Sequence, residues 1–168
     1  MKKKLSILVL VGFAVLLNSC KETGKNYSSE SEWNKKIVEA YVHSYAGMIG
    51  HSLPLIKDDS LKIEFIQKVI DEVRFYPDSS GYFYVYDFDC VNIAHARQKD
   101  IVGKNLYNYK DIKGKYVIRE LSKAAQSGSG YVDFYWIKPG TEKEKEKLGY
   151  VERIPGTNYF IGSGVYLE

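Results

Sequence analysis

The sequence predicts an α+β domain, an antiparallel sheet of five strands with helices packed mainly on one of its faces. Three observations lead to this class. Apolar residues recur at three- and four-residue spacing up to about residue 74 and alternate from Gly81 onward, a change from a helical to a strand period. The elements follow the order helix, helix, strand, strand, helix, strand, strand, strand, with connections short enough for antiparallel neighbours. Aromatic residues make up 14% of the chain, and most of its 15 tyrosines lie in the second half, which suits amphipathic sheet surfaces and argues against a disordered binder. A length of 168 residues fits one such domain behind an export segment.

That export segment comes first. Lys2, Lys3 and Lys4 form a positive start, and Leu5–Leu17 is an apolar run broken only by Ser6 and Gly12. The run is shorter than the ~20 residues that span a bilayer, and matches the apolar core of a signal peptide. Residues 1–19 are therefore expected to be removed. Leu17-Asn18-Ser19-Cys20 resembles the bacterial lipobox, which makes Cys20 the expected site of lipidation and the new N-terminus. Acyl chains contribute about 0.8 kcal/mol per buried CH₂, enough in combination to hold a soluble domain on a membrane. Residues 20–31 then read as lipid anchor and polar tether, and residues 32–168 as the domain. The expected location is exported and anchored to a bacterial membrane, on its periplasmic face or at the cell surface.

The charge balance excludes one class of partner. Without the three leading lysines, the Lys+Arg total of 24 falls to 21 and equals Asp+Glu at 21. A formally neutral domain has no basic footprint for nucleic acid.

Within the domain, Ser29–Leu53 is predicted as a helix with Trp33, Ile37, Ala40, Tyr41, Ser44 and Met48 along its apolar stripe. Pro54 ends it. Asp58 or Asp59 caps a second helix over residues 60–74, with Leu61, Phe65, Val69 and Val73 inward. Pro77-Asp78-Ser79-Ser80-Gly81 is a turn cluster. Gly81–Asp87 is the first strand, Asp87–Cys90 the bend, and Val91–Ala96 the returning strand. Asp111–Gln126 forms a third helix stopped by Ser127-Gly128-Ser129-Gly130. Tyr131–Lys138, Lys147–Ile154 and Tyr159–Leu167 complete the sheet. The run Thr141–Lys147 joins the first two of these as a solvated hairpin loop without a binding role.

Candidate binding residues follow from strand alternation. Val132, Phe134, Trp136 and Lys138 share one face, apolar rings leading to a cationic tip, which suits a small anion; a core face with a snorkelling lysine is the competing reading. Tyr82, Tyr84 and Tyr86 share a face of the first strand and offer hydroxyls at the edge of an apolar space; ordinary sheet packing would look the same. Lys147 and Tyr150 fall on opposite faces of their strand, and Tyr150, deeper in the sheet, is the preferred contact. Arg119 falls on the far side of its helix from the Val117/Leu121/Ala124 arc and is set aside. His43 and His51 lie two turns apart, too far for one metal ion. Cys90 with Asp87, Asp89 and His95 could form a metal or redox site. No hydrolase, metalloprotease or phosphate-loop motif is present, so neither an enzyme nor a cofactor is proposed from the residues.

Gly81–Asp89 (GYFYVYDFD), His95, Val102-Gly103-Lys104-Asn105-Leu106 and Asp111-Ile112-Lys113-Gly114-Lys115 together resemble a single Cache domain of the second type. Gly130–Trp136 (GYVDFYW), Lys138-Pro139-Gly140, Lys147–Val151 (KLGYV) and Ile161–Tyr166 (IGSGVY) continue the resemblance over residues 33–168. It implies a PAS-like sheet with long N-terminal helices, and a role as an extracytoplasmic sensor domain for small organic molecules such as short carboxylates. His95 holds the family's histidine position, as a structural imidazole or a ligand contact. Cys90 stands where the family usually has glycine. With no signalling module after Glu168, the expectation is a ligand-binding domain that serves a receptor or transporter partner. The ligand contacts expected are Tyr84, Tyr86, His95, Trp136, Lys138 and Tyr150. The alternatives are a structural or interaction lipoprotein whose pocket is filled, and a metal or redox protein built on Cys90 and His95.

Overall fold

The computed structural model describes residues 29–167, with side chains from Glu32 onward. The signal segment, Cys20 and most of the tether lie outside the described residues. Helix α1 (Ser29–Ser52) is followed by a 3-10 turn at Leu53–Leu55 and by α2 (Asp59–Asp71). Strands β1 (Tyr84–Asp87) and β2 (Asn92–His95) precede α3 (Val117–Gln126). Strands β3 (Ser129–Ile137), β4 (Glu144–Arg153) and β5 (Tyr159–Tyr166) close the chain. Asp58 caps α2, its Oδ1 accepting from the backbone N–H of Ser60 at 2.8 Å and of Leu61 at 3.1 Å.

Both N-terminal helices bury a face one residue further on than the sequence suggests. In α1 the buried positions are Val38, Val42, Ala46 and Ile49, while Trp33, Tyr41 and Met48 are exposed. In α2 they are Ile66 and Ile70, while Leu61 is exposed. One residue is a rotation of about 100°. In α1 the bulky Trp33, Tyr41 and Met48 suggest a stripe that the more compact Val38, Val42 and Ala46 take up, because compact side chains pack without voids against the sheet.

The five strands form one antiparallel sheet in the order β2-β1-β5-β4-β3. Directly paired residues share a face. The pairs Tyr84↔Gly162, Val151↔Gly162, Gly149↔Gly164, Lys147↔Tyr166 and Phe134↔Lys147 place these residues on one face. Val85, Ile161, Leu148 and Tyr150 lie on the other. Helix α1 covers the second face through β4 and β5, and α3 covers the first through β3 and β4. The expectation of helices mainly on one face is thus corrected: the sheet is the middle layer.

Two further boundaries move. Glu144–Lys147 pairs with Phe134–Ile137 and is strand, so the hairpin reversal occupies only residues 138–143. Helix α3 starts at Val117, not Asp111. The Asp111 carboxylate instead accepts the N–H groups of Lys113 and Lys115, each at 2.9 Å, and of Tyr135 at 3.0 Å. Gly114, at φ +82°, completes that turn. At the first hairpin, Cys90 holds φ +68°, the left-handed conformation glycine adopts without strain. The bend adopts a glycine-type backbone and carries a thiol there.

Candidate functional site

The face covered by α3 contains a narrow cavity of about 10 Å³, room for about one water molecule. Alternation along and just before β1 brings in Tyr82, Tyr84 and Tyr86, and β2 adds His95. Strand β3 contributes Phe134 and Trp136, β4 contributes Lys147, and α3 closes the cavity with Val117, Ile118 and Leu121. Each of these residues is buried.

Glycines make the space. A Cβ on Gly162 would stand 2.7 Å from Tyr84 Cζ, one on Gly149 2.6 Å from Phe134 Cε1, and one on Gly164 2.8 Å from Lys147 Cε. Side chains there would occupy the positions that the ring of Tyr84 and the stem of Lys147 now hold.

Lys147 is the dominant electrostatic feature. It is wholly buried, and its Nζ has no hydrogen-bond partner. The rings of Tyr82, Tyr166 and Tyr84 surround it, with centroids 3.9, 4.8 and 5.7 Å from Nζ. Ring faces attract a cation but offset only part of its lost hydration. Burial accordingly pushes the amine down from its ordinary value to about 7. The hydroxyl protons of two of these rings are directed elsewhere. Tyr166 Oη donates to the Ile137 carbonyl at 2.8 Å, which makes Tyr82 Oη the donor in their 3.2 Å bond.

His95 is neutral. Its Nδ1 accepts the backbone N–H groups of Arg97 at 3.1 Å and Gln98 at 2.8 Å, which places the ring proton on Nε2. Burial, followed by the charge of Lys147, holds its pKa down at about 3. Trp136 Nε1 donates to Gln98 Oε1 at 2.8 Å, so its indole offers the cavity only carbon. Tyr86 Oη and Asn92 Oδ1, on paired positions of β1 and β2, are further buried polar atoms without a hydrogen-bond partner.

Of the residues singled out from sequence, Tyr84, Tyr86, His95 and Trp136 meet at this cavity, and Lys138 and Tyr150 do not. Lys138 follows the last residue of β3, where alternation no longer applies, and its Nζ lies 3.3 Å from Asp78 Oδ2. Tyr150 belongs to the α1 face, with its ring 4.8 Å from that of Tyr131. Lys147, assigned from sequence to the border of a charged loop, supplies the cation instead. The alternation of Lys147, Gly149 and Val151, with Gly162 and Gly164 on the next strand, was the signal that could have found it.

The other candidates have local partners. Arg119 donates to the Tyr107 carbonyl at 2.6 Å and to Asn108 Oδ1 at 2.7 Å. His43 meets Glu152 at 2.9 Å, and His51 meets the Gly47 carbonyl at 2.7 Å. Among the described residues no group of three or more His, Cys, Asp or Glu side chains could hold a metal ion. Cys90 is buried, and burial, then the charge of Asp87, pushes its thiol up to about 11, the opposite of the shift that makes a thiol reactive.

Comparison with known proteins agrees with this architecture. The Cache domain family model matches residues 35–168. Over 111 residues the chain is 34% identical to the sensor histidine kinase MctS of Rhizobium johnstonii, covering 66% of this chain and 24% of that protein. It is 26% identical over 168 residues to the methyl-accepting chemotaxis protein McpP of Pseudomonas putida, covering 97% of this chain and 29% of that one. The chain thus spans less than a third of the length of either relative. A solved methyl-accepting chemotaxis protein from Vibrio parahaemolyticus superposes with a TM-score of 0.70 at 32% identity, over 82% of this chain and 90% of that one. A Cache chemosensory domain solved for carboxylic acid recognition gives 0.72 at 24% identity, over 84% of this chain and all of that one. No described helix is long and apolar enough to cross a membrane. The chain belongs to the Cache domain family, the extracytoplasmic sensor domains through which chemoreceptors and histidine kinases bind small ligands.

Proposed function

We propose that this domain binds a small organic monoanion, a short carboxylate, between Lys147 and the apolar wall formed by α3, Phe134 and Trp136. The observation that carries the proposal is Lys147 itself, a buried amine without an acceptor in a cavity that no acidic side chain lines. An unpaired buried charge is costly, and a carboxylate would supply both the acceptor and the counter-charge. The neutral His95 would add one N–H donor from Nε2. The single cation selects one negative group, and the missing acidic residue disfavours the ammonium of an amino acid. A related Cache chemosensory domain is described as recognising carboxylic acids, which makes that class the first to screen. Even a two-carbon acid exceeds about 10 Å³, so the walls must give way when it enters.

Calorimetry of the mature chain against acetate, propionate, amino acids and amines tests the reading. Heat is expected from the carboxylates alone, and Lys147→Met should abolish it. Carboxylates that bind Lys147→Met as well as the parent chain would overturn it. The small cavity favours one alternative, a structural or interaction lipoprotein with a filled pocket; silence from the whole panel would leave that reading in place. We further propose that Cys20 carries the lipid anchor and that the domain presents its ligand to a receptor or transporter. Export of Cys20→Ala should release the domain from membranes, and retention would refute the anchor.

A further inference from the structure

We infer that ligand capture at Lys147 takes up a proton, so that the site responds to carboxylate and acidity jointly; the inference rests on the carboxylate reading above. The geometry leaves the amine with ring faces alone, without a hydrogen-bond acceptor or a counter-charge to keep it charged. Tyr82 and Tyr84 face it from the β1 segment, and Tyr166 from β5. His95 shares the cavity from β2, β3 offers Phe134 and Trp136, and α3 offers only aliphatic side chains. No carboxylate is among them. The other charges around the cluster are cations: Lys99 and Arg74 act on His95 in the same sense as Lys147, Arg97 acts on Tyr82 and Tyr166, and Lys138 lies over the Tyr166 ring. None of them favours the ammonium.

Burial has already brought the amine to about 7, so the empty site holds a mixture of amine and ammonium near neutral pH. An arriving carboxylate attracts only the ammonium. Above the empty-site value the step is therefore RCOO⁻ plus amine plus H⁺ giving the RCOO⁻–ammonium pair, with the proton drawn from solvent onto Nζ. No side chain around the cavity can supply it. Burial pushes Tyr82 up to about 12 and holds Tyr84 and Tyr166 well above the ordinary phenol value, and His95 Nδ1 is an acceptor for two backbone N–H groups. The sign is fixed. Binding is independent of pH between the carboxylic acid's own pKa and the empty-site value, and weakens by about tenfold per pH unit above the latter, until the value of the bound state is reached.

Titration of propionate into the mature chain at about pH 8, in two buffers of unlike ionisation enthalpy, tests this. The apparent heats should differ by an amount corresponding to nearly one proton taken up, with affinity falling towards higher pH. Lys147→Arg, whose guanidinium stays charged, should lose the buffer dependence wherever it still binds. Equal heats in both buffers with pH-independent affinity would overturn the proton coupling and leave the carboxylate reading standing. Failure of every carboxylate to bind would remove both.

Discussion

The two faces of the sheet obey different rules. Under α1, Val38, Val42, Ala46 and Ile49 meet a surface that includes Val85 and Ile161, and the Tyr45 and Phe83 rings pack with centroids 4.5 Å apart. Ser163 is polar on that face, and its Oγ donates to the Tyr82 carbonyl at 2.7 Å. Under α3, Lys147 Nζ and Tyr86 Oη are buried without hydrogen-bond partners, and three glycines make room for the side chains of Tyr84, Phe134 and Lys147. The first face uses burial for stability. The second keeps polar groups dry at a cost in stability, the feature on which the proposed binding rests.

Three substitutions test that contrast. The largest effect should come from Phe83→Ala on the α1 face, a loss of about 3–5 kcal/mol by chemical denaturation. Its carboxylate affinity should change little once the variant is folded. A selective loss of binding at unchanged stability would show that the faces are not independent.

Next is Lys147→Met on the α3 face, where the expected sign is opposite. Removing an unpaired buried charge should stabilise the empty domain by about 1–4 kcal/mol. The parent chain adds a pH signature. Its amine falls from 10.5 in the unfolded chain to about 7 in the fold, so the unfolded chain binds more protons across that window. Stability of the empty domain should then rise as pH rises through it. Thermal melts of both chains with pH would show the rise in the parent and its absence in Lys147→Met. A parent chain that is flat over the same range would mean the amine is not buried uncompensated.

Smallest is Gly162→Ala, which drives a Cβ against the ring of Tyr84. Overpacking of this kind costs about 1–3 kcal/mol, and displacement of Tyr84 should weaken carboxylate binding by a larger factor than the loss of stability alone explains. Equal affinity by calorimetry would show that the glycine floor does not shape the site.

Much of the fold is legible in the residues. The change of period at Gly81 separates the first two helices from the sheet, and Asp58 or Asp59 marks the start of α2. The antiparallel neighbours β1–β2 and β3–β4–β5 follow from short connections, whereas the β1–β5 pairing that joins the two groups does not. Half of the site follows from alternation, which places Tyr84 and Tyr86 together and Phe134 with Trp136. What fails, fails for local reasons. The stripes of α1 and α2 are displaced by one position because apolar residues occupy adjacent positions, such as Ile37 and Val38 or Phe65 and Ile66, and spacing alone does not report which of the two faces the core. Lys138 has the right face by arithmetic but stands beyond the end of its strand. Lys147 hides in a run of alternating charge, Glu142 to Lys147, whose composition suggests solvent.

The sequence by itself determines the α+β class, the five antiparallel strands and the faces on which the strand residues lie, because these depend on periods of two and 3.6 that neighbouring residues already express. Only the tertiary structure decides that Lys147 is inside. A charged residue's environment is set by distant elements, here β1, β5 and α3 closing over β4, and no local pattern records whether water or tyrosine rings will surround it.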